Sequence, residues 1–269
     1  MSLPNSPIVN AGLKYVNGLQ IYWADTRKIV LEPGACRDSL NINDIILSSS
    51  VIIDGSKVGA NGVDLATLEI DKFYAVYVIS ASNSVDTSSS ALGAGYDSAF
   101  QPVNVAPAPA NPLPTAGLLS LDPVSPKLPY GYDSFRRIGW VRTNGTAVLL
   151  PWFQFGNSND RKYYYQDDIQ VLTAGASATF AAVDLSSAVP PIASEISFNV
   201  ALTGAADAEF LPYFAVPPTD GIIKFAAAGA ATCAEVIPCD INAGKPTIMY
   251  KVSANALNLF VAGYVDYLG

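Results

Sequence analysis

The chain has 269 residues, of which 50% are hydrophobic and only 14% are charged, and its formal net charge is -8. This composition supports a large buried core and excludes a chain that is disordered throughout, because disorder combines low hydrophobicity with high net charge. The acidic balance disfavours nucleic acids and anionic membrane surfaces as partners, since both attract proteins through lysine and arginine.

Histidine is absent. The chain therefore lacks the usual base of a nucleophilic triad and the commonest metal ligand. We expect no catalytic residue, no metal site and no cofactor, so the chain is predicted not to be an enzyme. A carboxylate-based glycan hydrolase remains an open alternative, because that chemistry needs only two acidic side chains.

The three cysteines, Cys36, Cys233 and Cys239, form a poor disulfide framework because their number is odd. A bridge between Cys233 and Cys239 and three buried thiols both remain open. The opening residues MSLPNSPIVN lack the basic and apolar regions of a secretory signal. No apolar run reaches the roughly 20 residues of a membrane span. We therefore expect a soluble protein that is made in the cytoplasm, without membrane insertion.

The sequence of the first half of the chain predicts a series of strands, because it contains short runs rich in β-branched and aromatic residues. In chain order they are LQIYW (19–23), KIVLEPG (28–34), DIILSSSVIIDG (44–55) and KFYAVYVISAS (72–82). A turn signal at Asn17-Gly18 precedes the first of them, and a second at Asp54-Gly55 ends the third. The stretch GVDLATLEIDKFY (62–74) is the best candidate for one short helix or turn.

A hairpin is predicted where RRIGWVR meets AVLLPWFQFG across Thr143-Asn144-Gly145-Thr146. Asn-Gly accepts the positive φ angles that a two-residue turn requires. Before this hairpin lies a long segment rich in proline, alanine and serine, residues 83–129. Proline removes backbone donors, so we expect a loop there. An arm that packs on a neighbouring subunit and a surface excursion within one subunit are both open.

From residue 166 onward, short strands recur with glycine, proline or aspartate between them, which is typical of a sandwich or barrel. The sequence predicts an all-β fold with two β-sandwich or jelly-roll-like domains joined by a short connector at DRKYYYQDDIQ (160–170). The first domain, 1–165, would dock on a larger assembly and carry the long loop. The second domain, 166–269, would be the C-terminal sandwich.

Cations are concentrated around Arg136 and Arg137. Adjacent residues of a strand point to opposite faces, so we expect one arginine to face inward and the other to face solvent. A buried arginine needs a carboxylate or carbonyl partner. Asp133, Asp38 and Asp160 are the candidates, and the preferred hypothesis is an ion pair between subunits or domains. Binding of an anionic ligand is the alternative.

Aromatic side chains offer a second candidate surface. Tyr163 and Tyr164 are candidate contact residues, because exposed aromatic rings bind sugars by stacking. Trp23, Trp140 and Trp152 lie in predicted strands with apolar neighbours, so core packing is expected for them.

Three segments resemble virion structural proteins of tailed bacteriophages, described as tail-fibre, head-fibre or minor structural proteins. They are LEPGACRDSLNINDIIL (31–47), LPYGYDSFRRIGWVRTNG (128–145) and FQFGNSNDRKYYYQDD (153–168). The closing TIMYKVSANALNLFVAGYVDYL (247–268) resembles the last strands of the same proteins. The resemblance covers most of the chain and is least evident in the insert 83–126.

The resemblance implies a non-enzymatic, all-β, trimeric assembly protein that is located in the virion after synthesis in the host bacterial cytoplasm. Its expected partners are copies of itself, other virion proteins and a host-surface receptor. The leading hypothesis is a fibre or capsid-decoration subunit on the head or tail. A receptor- or carbohydrate-binding module is the alternative, and the glycan hydrolase is a third.

Overall fold

In the computed structural model, which describes residues 14–81, 114–156, 158–212, 222–242 and 244–268, the chain forms short, mostly antiparallel strands. No helix occurs in these residues, so the predicted all-β fold is confirmed. Of the short helix or turn predicted for 62–74, the helix is wrong, and a turn is present at Ile70 and Asp71. Val63 and Leu68 of that stretch are buried whereas Leu65 and Ile70 are exposed, so its apolar side chains follow an irregular path over the core.

The first six strands form a bent, three-stranded meander. They are β1 (Val16–Gly18), β2 (Ile21–Asp25), β3 (Lys28–Leu31), β4 (Gly34–Arg37), β5 (Asp44–Leu47) and β6 (Val51–Asp54). They pair in the orders β1-β4-β5 and β2-β3-β6, so each long strand passes through two sheets. The predicted turn at Asp54-Gly55 is confirmed, since the Lys57 N–H donates to the Asp54 carbonyl.

The meander bends where Gly18 pairs with Gly34. A Cβ on Gly34 would lie 2.4 Å from the Asn17 carbonyl oxygen, so only glycine allows this close approach. Gly18 and Leu19 have φ angles of 68° and 54°. The hairpin turn predicted at Asn17-Gly18 is therefore wrong, because these residues bend one continuous strand instead of reversing the chain.

The second sheet contains β7 (Gly62–Val63), β8 (Phe73–Ser80), β9 (Ala116–Ser120) and β10 (Ser134–Arg142), in the order β10-β8-β9-β7. Strand β8 is buried over six consecutive residues, as its continuous apolar run predicts. Strand β9 corrects the prediction of one loop over 83–129, because its apolar AGLLS run is buried beside β8. Residues 83–113 of the predicted loop lie outside the described residues.

The hairpin after β10 has a different turn from the predicted one. Thr143 and Leu149 form a β-bridge, and the Ala147 N–H donates to the Asn144 carbonyl. The positive φ angle falls on Ala147, at 57°, and not on Asn144 or Gly145. The reversal is confirmed and its two-residue Asn-Gly geometry is wrong, because a longer turn closes this loop.

The remaining strands form two sheets. Sheet F has the order β11-β12-β20-β14-β17 and contains β11 (Trp152–Phe155), β12 (Asp160–Gly175), β14 (Ala193–Leu202), β17 (Ala231–Pro238) and β20 (Leu257–Tyr267). Sheet G has the order β13-β19-β15-β16, with β18 beside β19, and contains β13 (Ala181–Asp184), β15 (Ala206–Pro212), β16 (Ile223–Ala227), β18 (Asp240–Asn242) and β19 (Lys245–Val252). Phe198 of sheet F meets Phe210 of sheet G with ring centroids 5.1 Å apart, so the two sheets pack face to face.

Strand β12 contains the residues that the sequence suggests are a connector. Its register against β20 shifts between Tyr164 and Ile169, where extra residues bulge out of the ladder. The proposed boundary at residue 165 lies inside this strand. The division into two sandwich-like domains, 1–165 and 166–269, stays a prediction.

One apolar core runs from the meander to the last strand. Trp140 of β10 meets Phe73 of β8 at 6.4 Å, and Phe73 meets Tyr264 of β20 at 6.5 Å. Trp140 and Trp152 are buried and Trp23 packs against the core, so their predicted core packing is confirmed.

Candidate functional site

Three arginines lie together where β10 and the first residues of β12 meet the end of β20. Arg136 is 6% exposed and donates to the carbonyl oxygen of Leu268. Arg137 forms an ion pair with Asp266, with Nη1 2.5 Å from Oδ2. Arg161 is fully buried. These five residues are called the arginine cluster below.

The cluster corrects the expectation that one of the paired arginines faces solvent. Both Arg136 and Arg137 reach the end of β20. Strand β10 is an edge strand of its sheet, and its register shifts just after Arg137. Side chains of an edge strand can reach across the open edge of the sheet. The alternation of side chains between the two faces of β10 therefore does not separate Arg136 from Arg137. The carboxylate that Arg137 meets is Asp266, 129 positions further along the chain.

Arg161 stabilises the bend of the meander. Its guanidinium donates to the carbonyl oxygens of Gly18 and Leu19, both at 2.6 Å, and Nε donates to the Ser158 carbonyl at 3.2 Å. The bend withdraws these carbonyls from the strand ladder, and a buried carbonyl requires a partner. Arg161 therefore joins the start of the described chain to sheet F.

Burial dominates the electrostatics of the cluster. It raises the pKa of the Asp266 carboxyl, and the nearby Arg137 only partly opposes this effect. Burial also lowers the pKa of Arg136 and of Arg161. Oδ1 of Asp266 is buried without a hydrogen-bond partner among the described residues. The cluster is thus a structural junction whose charges are covered, and it presents no open anion site.

The other predicted ion-pair residues lie nearby. Asp38 is buried and accepts hydrogen bonds from the Ile42 N–H at 2.7 Å and from Asn43 Nδ2 at 3.1 Å, which orders the loop after β4. Asp133 is exposed just before β10, and its N–H donates to the Ser80 carbonyl. A role for either residue between subunits stays a prediction.

The structure describes only some of the cysteine side chains. Cys36 is a buried thiol, and burial raises its pKa to about 12. The side chain of Cys233 lies outside the described part of the structure. A bridge between Cys233 and Cys239 therefore stays a prediction.

Sheet F exposes aromatic side chains on the face away from the core. Phe153, Phe155 and Tyr267 are 59%, 57% and 56% exposed. Phe153 lies opposite Tyr164 and Phe155 lies opposite Lys162 in the β11–β12 ladder. The rings of Phe155 and Tyr164 are 5.9 Å apart. Phe153, Phe155, Lys162 and Tyr267 are called the aromatic face below, and Tyr164 lies at its border.

A groove of about 520 Å³ lies next to the aromatic face, across four strands of sheet F. Its lining residues are Tyr164, Ser197, Phe198, Asn199, Ala234, Glu235, Val236 and Ala262. Asn199 Nδ2 donates to Asp168 Oδ2 at 2.5 Å, which places a carboxylate beside the lining. The sequence does not predict this groove, because its strands follow one another in the sheet and not in the chain.

The two tyrosines that the sequence singles out have different positions. Tyr163 is 1% exposed, stacks on Tyr264 with centroids 4.9 Å apart and accepts a hydrogen bond from Gln154. It offers no ring face to a ligand. Tyr164 is half-buried and lines the groove. Its ring lies over Gly263, where a Cβ would be 2.9 Å from Tyr164 Cδ1.

The described side chains contain no group of three or more acidic, histidine or cysteine residues that could hold a metal ion. The described segments likewise contain no helix that could cross a membrane. The carboxylate beside the groove is that of Asp168, because Glu235 is paired with the core residue Phe198 and its side chain points to the opposite face of the sheet. The chemistry that the groove offers is aromatic contact and hydrogen bonding.

No protein-family model matches the chain, and no curated protein matches it.

Proposed function

We propose that this chain is a virion structural protein of a tailed bacteriophage, a fibre or decoration subunit that assembles on the head or tail through protein–protein contacts. Support comes from the resemblance of four sequence segments and from the all-β fold. The observation that carries the proposal is the aromatic face, an apolar surface on a rigid sheet.

The size of the aromatic face supports a contact surface. Phe153, Phe155 and Tyr267 are each more than half exposed, which leaves roughly 350 Å² of ring surface in water at about 200 Å² per side chain. Patches of this size on soluble proteins often mark interaction sites. Burying it would contribute about 9 kcal/mol, comparable with the free energy that association costs.

We propose that the aromatic face meets a second copy of this chain and forms the centre of a trimer interface. A stable interface buries about 800 Å² per partner, so polar surface around the rings would complete it. Lys162 lies among the rings, and its apolar stem can pack on them while its ammonium reaches water.

Light scattering of the purified chain at micromolar concentration tests self-association, and we expect the mass of a trimer. The variant Phe153→Ser/Phe155→Ser/Tyr267→Ser should be monomeric, because it removes most of the exposed ring area. Val124→Ser is the matched control, since Val124 is exposed in a loop and should leave the trimer intact. A wild-type monomer, or a trimeric triple variant, contradicts the proposed interface.

Mass spectrometry of purified virions tests the assignment itself. We expect peptides of this chain in intact particles, at a copy number that cryo-electron microscopy of the same particles places on the head or tail. Intact virions without any copy of the chain would refute the assignment.

A further inference from the structure

The groove of sheet F combines an aromatic wall with a polar end. Tyr164 forms one wall, and Ala234 and Val236 of the edge strand β17 lie across the sheet from it. Small residues form the floor between these walls. Ser197 pairs with Gly263 on one side and with Val236 on the other, so the row from Tyr164 to Val236 has almost no side-chain bulk at its middle.

The floor of the groove is low because residue 263 is a glycine. A Cβ on Gly263 would lie 2.1 Å from the Tyr163 carbonyl and would also meet the Tyr164 ring. Because residue 263 has no side chain, the Tyr164 ring lies flat over this neighbouring strand. Aromatic residues paired with a glycine are held in place in this way. The ring is therefore positioned before any ligand arrives, which lowers the entropy that binding would lose.

Polar groups converge at the other side of the same groove. Asn199 lines it and is oriented by its 2.5 Å hydrogen bond to Asp168. Ser197 adds a hydroxyl to the lining, and Asp168 is the carboxylate beside it. Carboxylates accept hydrogen bonds and an amide both donates and accepts. This set matches vicinal hydroxyl groups, each of which is itself a donor and an acceptor.

Charge narrows the ligand class. Asp168 beside the groove is acidic, and no lysine or arginine lines the groove. The chain as a whole carries a formal charge of -8. Acidic sugars and phosphate esters would be repelled. The groove volume of about 520 Å³ lies within the range of small-molecule sites.

We propose that this groove binds a neutral pyranose of a glycan, with the apolar face of the sugar against Tyr164 and its hydroxyl groups on Asn199 and Ser197. The site concerns ligand recognition and does not depend on the virion assignment. It gives the alternative of a carbohydrate-binding module a location in the fold, with Tyr164 in place of the buried Tyr163.

Saturation-transfer NMR of the full chain tests the proposal with methyl glucoside, methyl galactoside, methyl mannoside and N-acetylglucosamine as probes. A shallow site with one ring predicts a dissociation constant of about 1 mM, so probes at about 10 mM should give signal. We expect signal from at least one neutral probe and none from glucuronate. No signal from all four neutral probes, or equal binding of glucuronate, overturns the proposal.

Variants locate the site. Tyr164→Ala should weaken binding at least about tenfold, because it removes the stacking ring. Tyr164→Phe keeps the ring and should bind nearly as well as the wild type. Tyr22→Ala is the matched control, since this exposed tyrosine of β2 belongs to neither the groove nor the aromatic face. Unchanged binding by a folded Tyr164→Ala variant refutes the site, even if the chain is later found in virions.

Discussion

Replacing Asp266 by asparagine tests whether the arginine cluster holds the two halves of the chain together. The change keeps the size of the side chain and removes its charge. Arg137 would then keep its guanidinium, whose Nη1 lies 2.5 Å from the present carboxylate, without a counter-charge. Asp266 is fully buried, and the Arg137 side chain is only 13% exposed. Water therefore compensates little of the loss.

The expected loss follows from this burial. Removing one partner of a buried pair lowers the free energy of unfolding by about 3–5 kcal/mol, because the other charge is stranded. The partial exposure of Arg137 favours the lower end, about 3 kcal/mol. For a chain of this size, about 2–4 °C per kcal/mol predicts a melting temperature that is lower by about 6–12 °C. Burial raises the pKa of the Asp266 carboxyl, so the folded state disfavours this charge and its removal offsets part of the loss, which also favours the lower end.

The chain offers a matched control. Lys245 Nζ also lies 2.5 Å from Asp184 Oδ2, but these side chains are 59% and 44% exposed. Exposed pairs contribute at most about 1 kcal/mol, so Asp184→Asn should shift the melting temperature by no more than about 4 °C. Differential scanning calorimetry of both variants at low and high salt measures the difference.

A double variant distinguishes the cost of leaving the Arg137 charge unpaired from the cost of lost packing. Arg137→Met with Asp266→Leu removes both charges, and we expect it to be more stable than Asp266→Asn alone. Equal shifts for Asp266→Asn and Asp184→Asn would refute the reasoning. So would a double variant that is less stable than the single one, since the loss would then come from packing.

Two further predictions concern packing and reactivity. Gly263→Ala places a Cβ 2.1 Å from the Tyr163 carbonyl and should lower the free energy of unfolding by about 2 kcal/mol. Gly229→Ala meets no atom within 4 Å and should change it by less than about 0.5 kcal/mol, so similar losses in a denaturant titration would contradict the packing account. Cys36, whose pKa is raised to about 12 by burial, should resist iodoacetamide at pH 8 until the chain is unfolded. Peptide mapping that finds Cys36 alkylated in the native protein contradicts its burial.

Local sequence signals predict the fold class and the buried strands well. The run in β8 is apolar at consecutive positions, which suits a strand covered on both faces, and the structure covers it on both. The turn after β10 is also predicted, but its positive φ angle falls on Ala147. Alanine carries no signal for that conformation, so composition alone does not give the turn type.

The parts that sequence does not predict depend on distant residues. The partner of Arg137 is Asp266, and no local pattern connects positions 129 apart. The polar stretch in β12 resembles a connector because it bulges out of the ladder after Tyr164. The groove needs the order β12-β20-β14-β17, which chain order does not contain. Tyr163 and Tyr164 are neighbours in sequence, and only the pleat of the strand separates core from groove.

The position of β20 has a consequence for synthesis on the ribosome. It is a central strand of sheet F, between β12 and β14, yet it follows both in the chain. Translation proceeds at about 5–20 residues per second, so the roughly 90 residues from the end of β12 to the end of β20 take about 5–20 s. During that interval β12 and β14 lack their shared neighbour, and their unpaired edges are open to other nascent chains. Production at low temperature or with a holding chaperone should therefore raise the yield of folded protein more than any change to its surface.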